Sequence, residues 1–243
     1  MSERPPGETV DTLFEGRLTI CQRTHGYRFS VDALILAHFA GPAAQEPIVD
    51  LGTGTGVVAL ILAYKFGRKQ ITAIELQPQL AELARRNVEA NGLGAAVSVI
   101  QADLADLASL PVGGAASVVC NPPYRRLGTG RINPADEKAL ARHELRAKVS
   151  QVAAAAERLL AAKGRLYLVY PAVRLAPLMA ALAEHRLEPK RLRLVHSREG
   201  EGAVLALVEA LKGGGEGMAV EPPLMVYTPE GHYTPEVGSY LRG

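Results

Sequence analysis

The chain has 243 residues, 48% of them apolar, which favours a single main domain with one substantial core. Its formal net charge of +2 and its isoelectric point near 8.6 are only mildly basic, so nucleic-acid binding would need a local basic patch. The N-terminus shows no basic-then-apolar signal peptide, and no segment approaches the roughly 20 apolar residues that span a bilayer. We therefore expect a soluble cytoplasmic protein with no membrane partner.

The two cysteines, Cys21 and Cys120, lie far apart and show neither a disulfide pattern nor a metal-binding pattern. Cys120 ends an apolar run and is interpreted as a small buried hydrophobic residue. None of the six histidines has the spacing of a zinc site. We therefore expect no metal site.

The first half of the chain alternates short β-branched runs with longer segments of helical period, which is typical of a parallel sheet covered by helices. One helix is predicted over Val57 to Phe66, with Gly67 as its stop. A second begins near Pro78 and ends at Asn91-Gly92. The predicted strands are Ile48 to Leu51, Ile71 to Glu75 and Val97 to Ile100.

The second half predicts a helix over Val149 to Ala162 closed by Gly164, and another over Arg174 to His185. Its last two strands are joined only by the polar turn Arg198 to Gly202. That connection is too short for a right-handed crossover, so these two strands must be antiparallel. The strands of this half are Ala115 to Cys120, Arg165 to Tyr170, Arg191 to Val195 and Ala203 to Glu209.

Together the elements predict an α/β, Rossmann-like fold, a seven-stranded, mostly parallel sheet with a terminal antiparallel hairpin and helices on both faces. Residues 41–212 would form the main domain. Residues 1–40 would be an N-terminal segment that packs on this core, and residues 213–243 would be a C-terminal tail.

A glycine-rich run, Asp50-Leu51-Gly52-Thr53-Gly54-Thr55-Gly56, lies at the first strand-to-helix turn. Glycines let the backbone bend tightly there and approach a ligand with no Cβ in the way, although a purely structural turn is the alternative. A dinucleotide fingerprint needs glycine where Val57 stands, and a P-loop needs Gly-Lys-Ser/Thr, so the spacing favours S-adenosylmethionine. Asp50 is expected mainly to support the loop. The expected cofactor-binding glycines are Gly52, Gly54 and Gly56.

Two acidic residues at later strand ends fit the same cofactor. Glu75 can accept hydrogen bonds from both hydroxyls of a ribose at the sheet edge, and it has little structural reason to be there. Asp103 can accept from the adenine amino group while Leu76 and Leu104 pack on the ring faces. For Asp103 the structural alternative is a helix N-cap.

The run Asn121-Pro122-Pro123-Tyr124 follows the fourth strand and predicts chemistry on a planar amino nitrogen. Such a nitrogen is a poor nucleophile because its lone pair is delocalised, so accepting both of its N–H groups turns the lone pair toward an electrophile. The Asn121 side-chain oxygen and the Pro122 carbonyl are the two candidate acceptors, and Tyr124 can stack on the substrate. A plain strand-ending turn is the alternative.

The glycine run, the two acids and Asn-Pro-Pro-Tyr together resemble the class I methyltransferases that modify N6 of adenine, N2 of guanine or N5 of glutamine. Nearly the whole chain is similar to the bacterial tRNA1(Val) (adenine-37-N6)-methyltransferase family. The resemblance implies methyl transfer from S-adenosylmethionine, leaving S-adenosylhomocysteine, to N6 of an adenine beside the anticodon of a tRNA. It is carried by Leu18 to Gln22, Gly26 to Ala37, Asn121 to Glu144, Pro222 to Tyr227 and Gly231 to Thr234.

Basic residues around the predicted catalytic turn are candidates for holding the RNA backbone, with a solvated loop as the alternative. The resemblance implies that Arg28 could also reach the substrate, and His143 lies close to the substrate loop and could line it. A second basic cluster is interpreted as a solvated strand edge. The candidates after the turn are Arg125, Arg126 and Arg131; the second cluster is Lys190, Arg191, Arg193 and Arg198.

Three other functions, from two further classes of protein and from rRNA modification, remain open from the residues alone. The same four-residue motif would serve a protein N5-glutamine methyltransferase or an rRNA guanine-N2 methyltransferase, and a non-enzymatic cofactor-binding RNA module is a third class. The oligomeric state, monomer or homodimer, is also open.

Overall fold

The computed structural model describes residues 7–24, 30–106, 113–122 and 149–242. They form a two-stranded antiparallel sheet near the N-terminus and a nine-stranded sheet that organises the rest. The small sheet pairs β1 (Glu8–Leu13) with β2 (Leu18–Arg23). The sequence pattern of this segment does not predict these two strands, because the turn between them has no Asn-Gly or Asp-Gly signal. Instead Phe14 and Glu15 take the left-handed conformation, and Phe14 is fully buried against Tyr64.

The first half of the large sheet has the predicted alternation of strands and helices. Helix α1 (Val31–Ala40) precedes it. Four strands pair in parallel in the spatial order β6 (Ala115–Cys120), β3 (Ile48–Leu51), β4 (Ile71–Glu75) and β5 (Val97–Gln101), as a crossover topology requires. Gly67 and Gly92 have φ values of 65° and 67°, which confirms both as helix stops. The elements are β3 (Ile48–Leu51), α2 (Val57–Phe66), β4 (Ile71–Glu75), α3 (Pro78–Ala90), β5 (Val97–Gln101) and β6 (Ala115–Cys120).

In the second half, the predicted helix end at Gly164 is wrong. Helix α4, described over residues 149–159, gives way at once to β7 (Leu160–Pro171), so Gly164 lies inside a strand. A Cβ on Gly164 would stand 2.9 Å from the Leu160 side chain and 3.1 Å from the Ala115 carbonyl oxygen. The glycine is therefore needed for close packing at an irregular strand pair, where the register of β6 and β7 shifts between Ala115 and Ser117.

The terminal hairpin is antiparallel, as the short connection predicts. After α5 (Leu175–Glu184), β8 (Leu187–His196) pairs antiparallel with β9 (Ala203–Lys212), which also pairs antiparallel with β7. The sheet has nine strands rather than the predicted seven, because two further strands pair in parallel with β8. Each contains two residues, too few for a periodic pattern. These are β10 (Ala219–Val220) and β11 (Leu224–Met225); α6 (Pro235–Leu241) ends the described chain.

Helices cover both faces of the large sheet, as predicted. Ile48 and Tyr167 belong to one apolar cluster, which includes α1 and α2, whereas their neighbours Val49 and Leu166 belong to a second cluster, which includes α4 and α5. Alternate strand residues point to opposite faces, so each face has its own core. The helices thus lie on the faces of the sheet, whereas the carboxyl ends of the parallel strands meet at one of its edges.

Candidate active site

The candidate residues that the structure describes lie along one edge of the sheet. Asn121 and Pro122 follow β6, the glycine loop 52–56 follows β3, Glu75 ends β4 and Asp103 follows β5. Because β6, β3, β4 and β5 are neighbouring parallel strands, their carboxyl ends meet at the same edge. Ligands of open α/β sheets bind in the crevice at this edge. The structure thus brings the two predicted motifs to adjacent strands.

The glycine loop has the geometry of a ligand cradle. Gly52, Gly54 and Gly56 have φ values of 74°, 60° and 87°, a region that side chains with a Cβ rarely adopt. The Gly52 and Thr53 amides both donate to the Ile74 carbonyl at 2.9 Å, which ties the loop to β4. Among the described residues, a Cβ on Gly52 would meet nothing within 4 Å, so this part of the chain leaves that side of the loop open. Gly56 packs instead on Ala84 of α3, where a Cβ would stand 3.4 Å from the alanine Cβ.

Asp50 is buried beneath the loop, and the structure gives it a role in the loop's fold. One carboxylate oxygen accepts from the Thr53 hydroxyl at 2.5 Å and from the Ala59 amide at 3.2 Å. Burial raises the pKa of Asp50 to about 6, assisted by the nearby charge of Glu75 and opposed by those two hydrogen bonds. Asp50 therefore joins the start of the loop to the first turn of α2.

Glu75 is 6% exposed, and it has a structural role that the sequence did not predict. Its Oε2 accepts from the Gly54 amide and its Oε1 from the Gln77 amide, both at 2.9 Å. The carboxylate thereby holds the middle of the glycine loop and the start of α3. Each carboxylate oxygen has a second lone pair, so hydrogen bonds from ribose hydroxyls remain compatible with this arrangement.

Leu76, Asp103 and Leu104 complete the β4 and β5 side of the edge. Leu76 is 51% exposed, and Leu104 is partly buried. Asp103 is exposed, and its Oδ1 accepts from the Ala105 amide at 2.8 Å, a turn of the kind expected in the structural alternative. The glycine cradle, the strand-end carboxylate and the exposed apolar side chain together fit a ligand such as S-adenosylmethionine, which has an amino-acid end, a ribose and an adenine ring.

Asn121 and Pro122 lie at the end of β6, with Asn121 half-buried and Pro122 buried. The preceding Cys120 is fully buried, which confirms its interpretation as a small hydrophobic residue, and burial raises the pKa of its thiol. The structure pairs Cys120 with Leu51 of β3, directly before the glycine loop. The other catalytic and substrate candidates lie outside the described residues: Tyr124, Arg28, Arg125, Arg126, Arg131 and His143.

The second basic cluster is not simply a solvated strand edge. Arg191 lies over the Phe39 ring at 4.1 Å and its Nε is 3.2 Å from both Glu209 and Glu221. Arg193 is bidentate to Glu236. These arginines hold the fold together, and their pairing with distant acids gave no local pattern in the sequence.

Sequence reasoning also missed Asn87 on α3. It is fully buried, and its side-chain amide donates to the Thr55 carbonyl in the glycine loop at 2.9 Å. The available signal was its position on the apolar face of α3, with Leu80, Leu83 and Ala84, where a polar residue needs a partner.

Within the described ranges, no three His, Cys, Asp or Glu side chains are arranged to hold a metal ion. No helix in the same ranges is long and apolar enough to cross a membrane.

Comparison with known proteins gives concordant matches. The family model of the methyltransferase small domain matches residues 30–185. A tRNA1(Val) (adenine(37)-N6)-methyltransferase of Porphyromonas gingivalis is 33% identical over 189 residues, spanning 74% of this chain and 73% of that protein. The protein of the same name from Aeromonas salmonicida is 29% identical over 209 residues, 85% of each chain.

Solved structures show the same fold. A predicted O-methyltransferase from Agrobacterium tumefaciens aligns with a TM-score of 0.69 and 26% identity, over 86% of this chain and 94% of that one. TrmN from Thermus thermophilus aligns with a TM-score of 0.56 and 24% identity, over 74% of this chain and 47% of its own, and supports the fold alone. The chain therefore belongs to the methyltransferase small domain family and to the family of the bacterial tRNA1(Val) (adenine(37)-N6)-methyltransferases.

Proposed function

We propose that this protein transfers a methyl group from S-adenosylmethionine to N6 of an adenine in the anticodon loop of a tRNA. The observation that carries the proposal is the position of Asn121-Pro122 at the end of β6, directly beside the glycine loop at the end of β3. Relatives bearing the name of this activity span most of the chain. A tRNA substrate would place the protein in the cytoplasm.

In the proposed chemistry, the protein supplies orientation. S-adenosylmethionine provides an activated methyl group on a positively charged sulfur. The Asn121 side-chain oxygen and the Pro122 carbonyl accept the two N–H groups of the target amine and direct its lone pair at the methyl carbon. Transfer would form the N–C bond as the C–S bond breaks, leaving S-adenosylhomocysteine, and the target nitrogen would lose one proton to solvent. Tyr124 stacks on the adenine.

On the cofactor side, we propose that Gly52 and Gly54 contact the methionine end through the backbone. Glu75 would accept from the ribose hydroxyls, and Asp103 from the adenine amino group. The 51% exposure of Leu76 supports its packing on the adenine ring. Leu104 would pack on the other face, and Asp50 and Gly56 would act through the fold of the loop.

On the substrate side, unstacking a loop base costs less than extracting a paired one, which favours an anticodon-loop adenine. Cations must hold the backbone meanwhile. We propose this role for the residues after the catalytic turn and for two further candidates: Arg125, Arg126, Arg131, Arg28 and His143. The proposed chemistry requires no metal.

The test separates RNA from protein substrates. Purified protein with methyl-labelled S-adenosylmethionine is offered unmodified tRNA, rRNA and a release factor in parallel. Label should enter tRNA, and Asn121→Ala should abolish this turnover while changing the cofactor Kd, measured by calorimetry, no more than a few-fold. Label in the release factor or rRNA but not in tRNA would overturn the proposal. Equal loss of turnover and cofactor binding in Asn121→Ala would show that Asn121 has been given the wrong role.

A further inference from the structure

Two asparagines of α3 dock the N-terminal hairpin by side-chain hydrogen bonds. Asn87 Oδ1 accepts from the Cys21 amide at 2.8 Å, and Asn87 Nδ2 donates to the Cys21 carbonyl at 3.0 Å. Asn91 makes the same pair of bonds with Thr19, at 2.8 and 2.7 Å. Each carboxamide therefore pairs with the β2 backbone as a neighbouring strand would.

The spacing of the two elements explains the match. Four residues of helix rise about 6 Å, and two residues of strand rise about 6.8 Å. Asn87 and Asn91 are four apart on α3, and Thr19 and Cys21 are two apart on β2, so both pairs can form at once. The hairpin is thereby held in a single register on α3.

Only Asn87 of this pair also reaches the glycine loop. Its Nδ2 donates to the Thr55 carbonyl at 2.9 Å, whereas the Nδ2 of Asn91 donates to the Asn87 carbonyl at 2.7 Å. With these bonds, both Nδ2 hydrogens and Oδ1 of Asn87 are engaged, which determines the orientation of the carboxamide.

Glu75 and Asn87 thus hold consecutive residues of the loop, Gly54 and Thr55. Glu75 accepts from the Gly54 amide, and Asn87 donates to the Thr55 carbonyl. Thr55 stands between Gly54 and Gly56, which have left-handed φ values of 60° and 87°. A loop with two flexible glycines has many alternative conformations, so these two anchors select one of them.

We propose that Asn87 is a positioning residue for cofactor binding, which fixes the glycine loop in its binding conformation and couples it to the N-terminal hairpin. The inference rests on the proposed S-adenosylmethionine site and adds a residue that never contacts the ligand. Asn91 shares the hairpin-docking role and lacks the loop contact. A comparison of variants at Asn87 and Asn91 therefore separates an effect on cofactor binding from an effect on the stability of the fold.

The test compares Asn87→Ala with Asn91→Ala in the full chain. Both variants lose the bonds to β2, so both should lower the melting temperature. Only Asn87→Ala should weaken binding of S-adenosylhomocysteine, raising its Kd by about tenfold, the equivalent of one well-placed hydrogen bond. Asn91→Ala should leave the Kd within about twofold of the wild type. In turnover assays Asn87→Ala should raise the KM for S-adenosylmethionine more than it lowers kcat.

The outcomes are distinguishable. If the wild type binds S-adenosylhomocysteine and both variants lose affinity equally, this inference is overturned while the proposed function stands. If the wild type does not bind it, both are overturned. If Asn87→Ala does not fold, NMR of the wild type decides. Addition of S-adenosylhomocysteine should then shift the side-chain amide signals of Asn87 and leave those of Asn91 in place, and equal shifts would contradict the inference.

Discussion

At the scale of single residues, the site is built from buried polar groups that support the loop as well as any ligand. In the glycine loop, Glu75 accepts a hydrogen bond from the Gly54 amide, and Asp50 accepts one from the Thr53 hydroxyl. The sequence predicted these two residues from their strand-end positions. It could not reveal their backbone partners, because these lie on other elements or depend on the exact loop conformation.

The buried position of Asp50 predicts a particular pH dependence of stability. Its pKa is raised from 3.8 to about 6, so as pH rises between these values the unfolded carboxyl ionises first and the folded state loses stability. Asp50→Asn keeps an oxygen acceptor and removes this titration. The free energy of unfolding of Asp50→Asn minus that of the wild type should therefore increase from pH 4 to pH 6 and level off near pH 7. Denaturant unfolding at a series of pH values measures this difference. A difference that stays constant with pH would show that the pKa of Asp50 is not raised by folding.

At the scale of elements, sequence patterns predicted the regular strands and helices and missed the irregular ones. The antiparallel direction of β8 and β9 followed from the shortness of the turn between them. The sequence pattern did not predict the N-terminal hairpin because Phe14 takes a left-handed conformation at its turn. The complete burial of Phe14 stabilises this conformation against the local preference of the residue. The prediction that Gly164 ends a helix was wrong because glycine occurs both at helix ends and at sites of close packing. Only its neighbours in three dimensions distinguish the two cases.

Docking of the C-terminal segment offers a test at this scale. Arg193 of β8 donates to both carboxylate oxygens of Glu236 in α6, at 2.7 and 2.9 Å, and to the Pro222 carbonyl at 3.0 Å. Arg193→Ala should lower the free energy of unfolding by about 1 kcal/mol, since Glu236 is half-exposed and partly screened. Arg198→Ala is the matched control. Its ion pair with Glu201 is exposed and 3.6 Å long, and its guanidinium lies 5.8 Å from the centre of the Tyr227 ring, near the outer limit of a cation–π contact. Loss of these contacts should cost less than about 0.5 kcal/mol.

The same contact has a defined pH window. The hydrogen bond from Arg193 lowers the pKa of Glu236 below its ordinary value of 4.5. Its contribution is therefore complete above that value and is lost as pH falls through the lowered pKa. The difference between wild type and Arg193→Ala should shrink in acid. Equal effects of Arg193→Ala and Arg198→Ala at neutral pH would contradict this account of α6.

At the scale of the whole molecule, the topology gathers residues far apart in the chain at one edge. Asp50 and Asn121 are separated by 71 positions, yet β3 and β6 are hydrogen-bonded neighbours whose registered residues include Leu51 and Cys120. Because a parallel sheet places all carboxyl ends together, this convergence was predictable from the element order. The contact between Asn87 of α3 and the glycine loop could not be predicted in this way, since it depends on how the hairpin packs on the helix.

If the carboxyl edge of the sheet methylates N6 of adenine in tRNA, as proposed, the position of the new methyl group on the nucleoside will show it. Unmodified tRNA is incubated with the protein and S-adenosylmethionine carrying a deuterated methyl group, digested to nucleosides and analysed by mass spectrometry. Deuterated N6-methyladenosine should form with the wild type and not with Asn121→Ala. A deuterated methyl group on guanosine, on a ribose hydroxyl or on a ring nitrogen of adenine would contradict it.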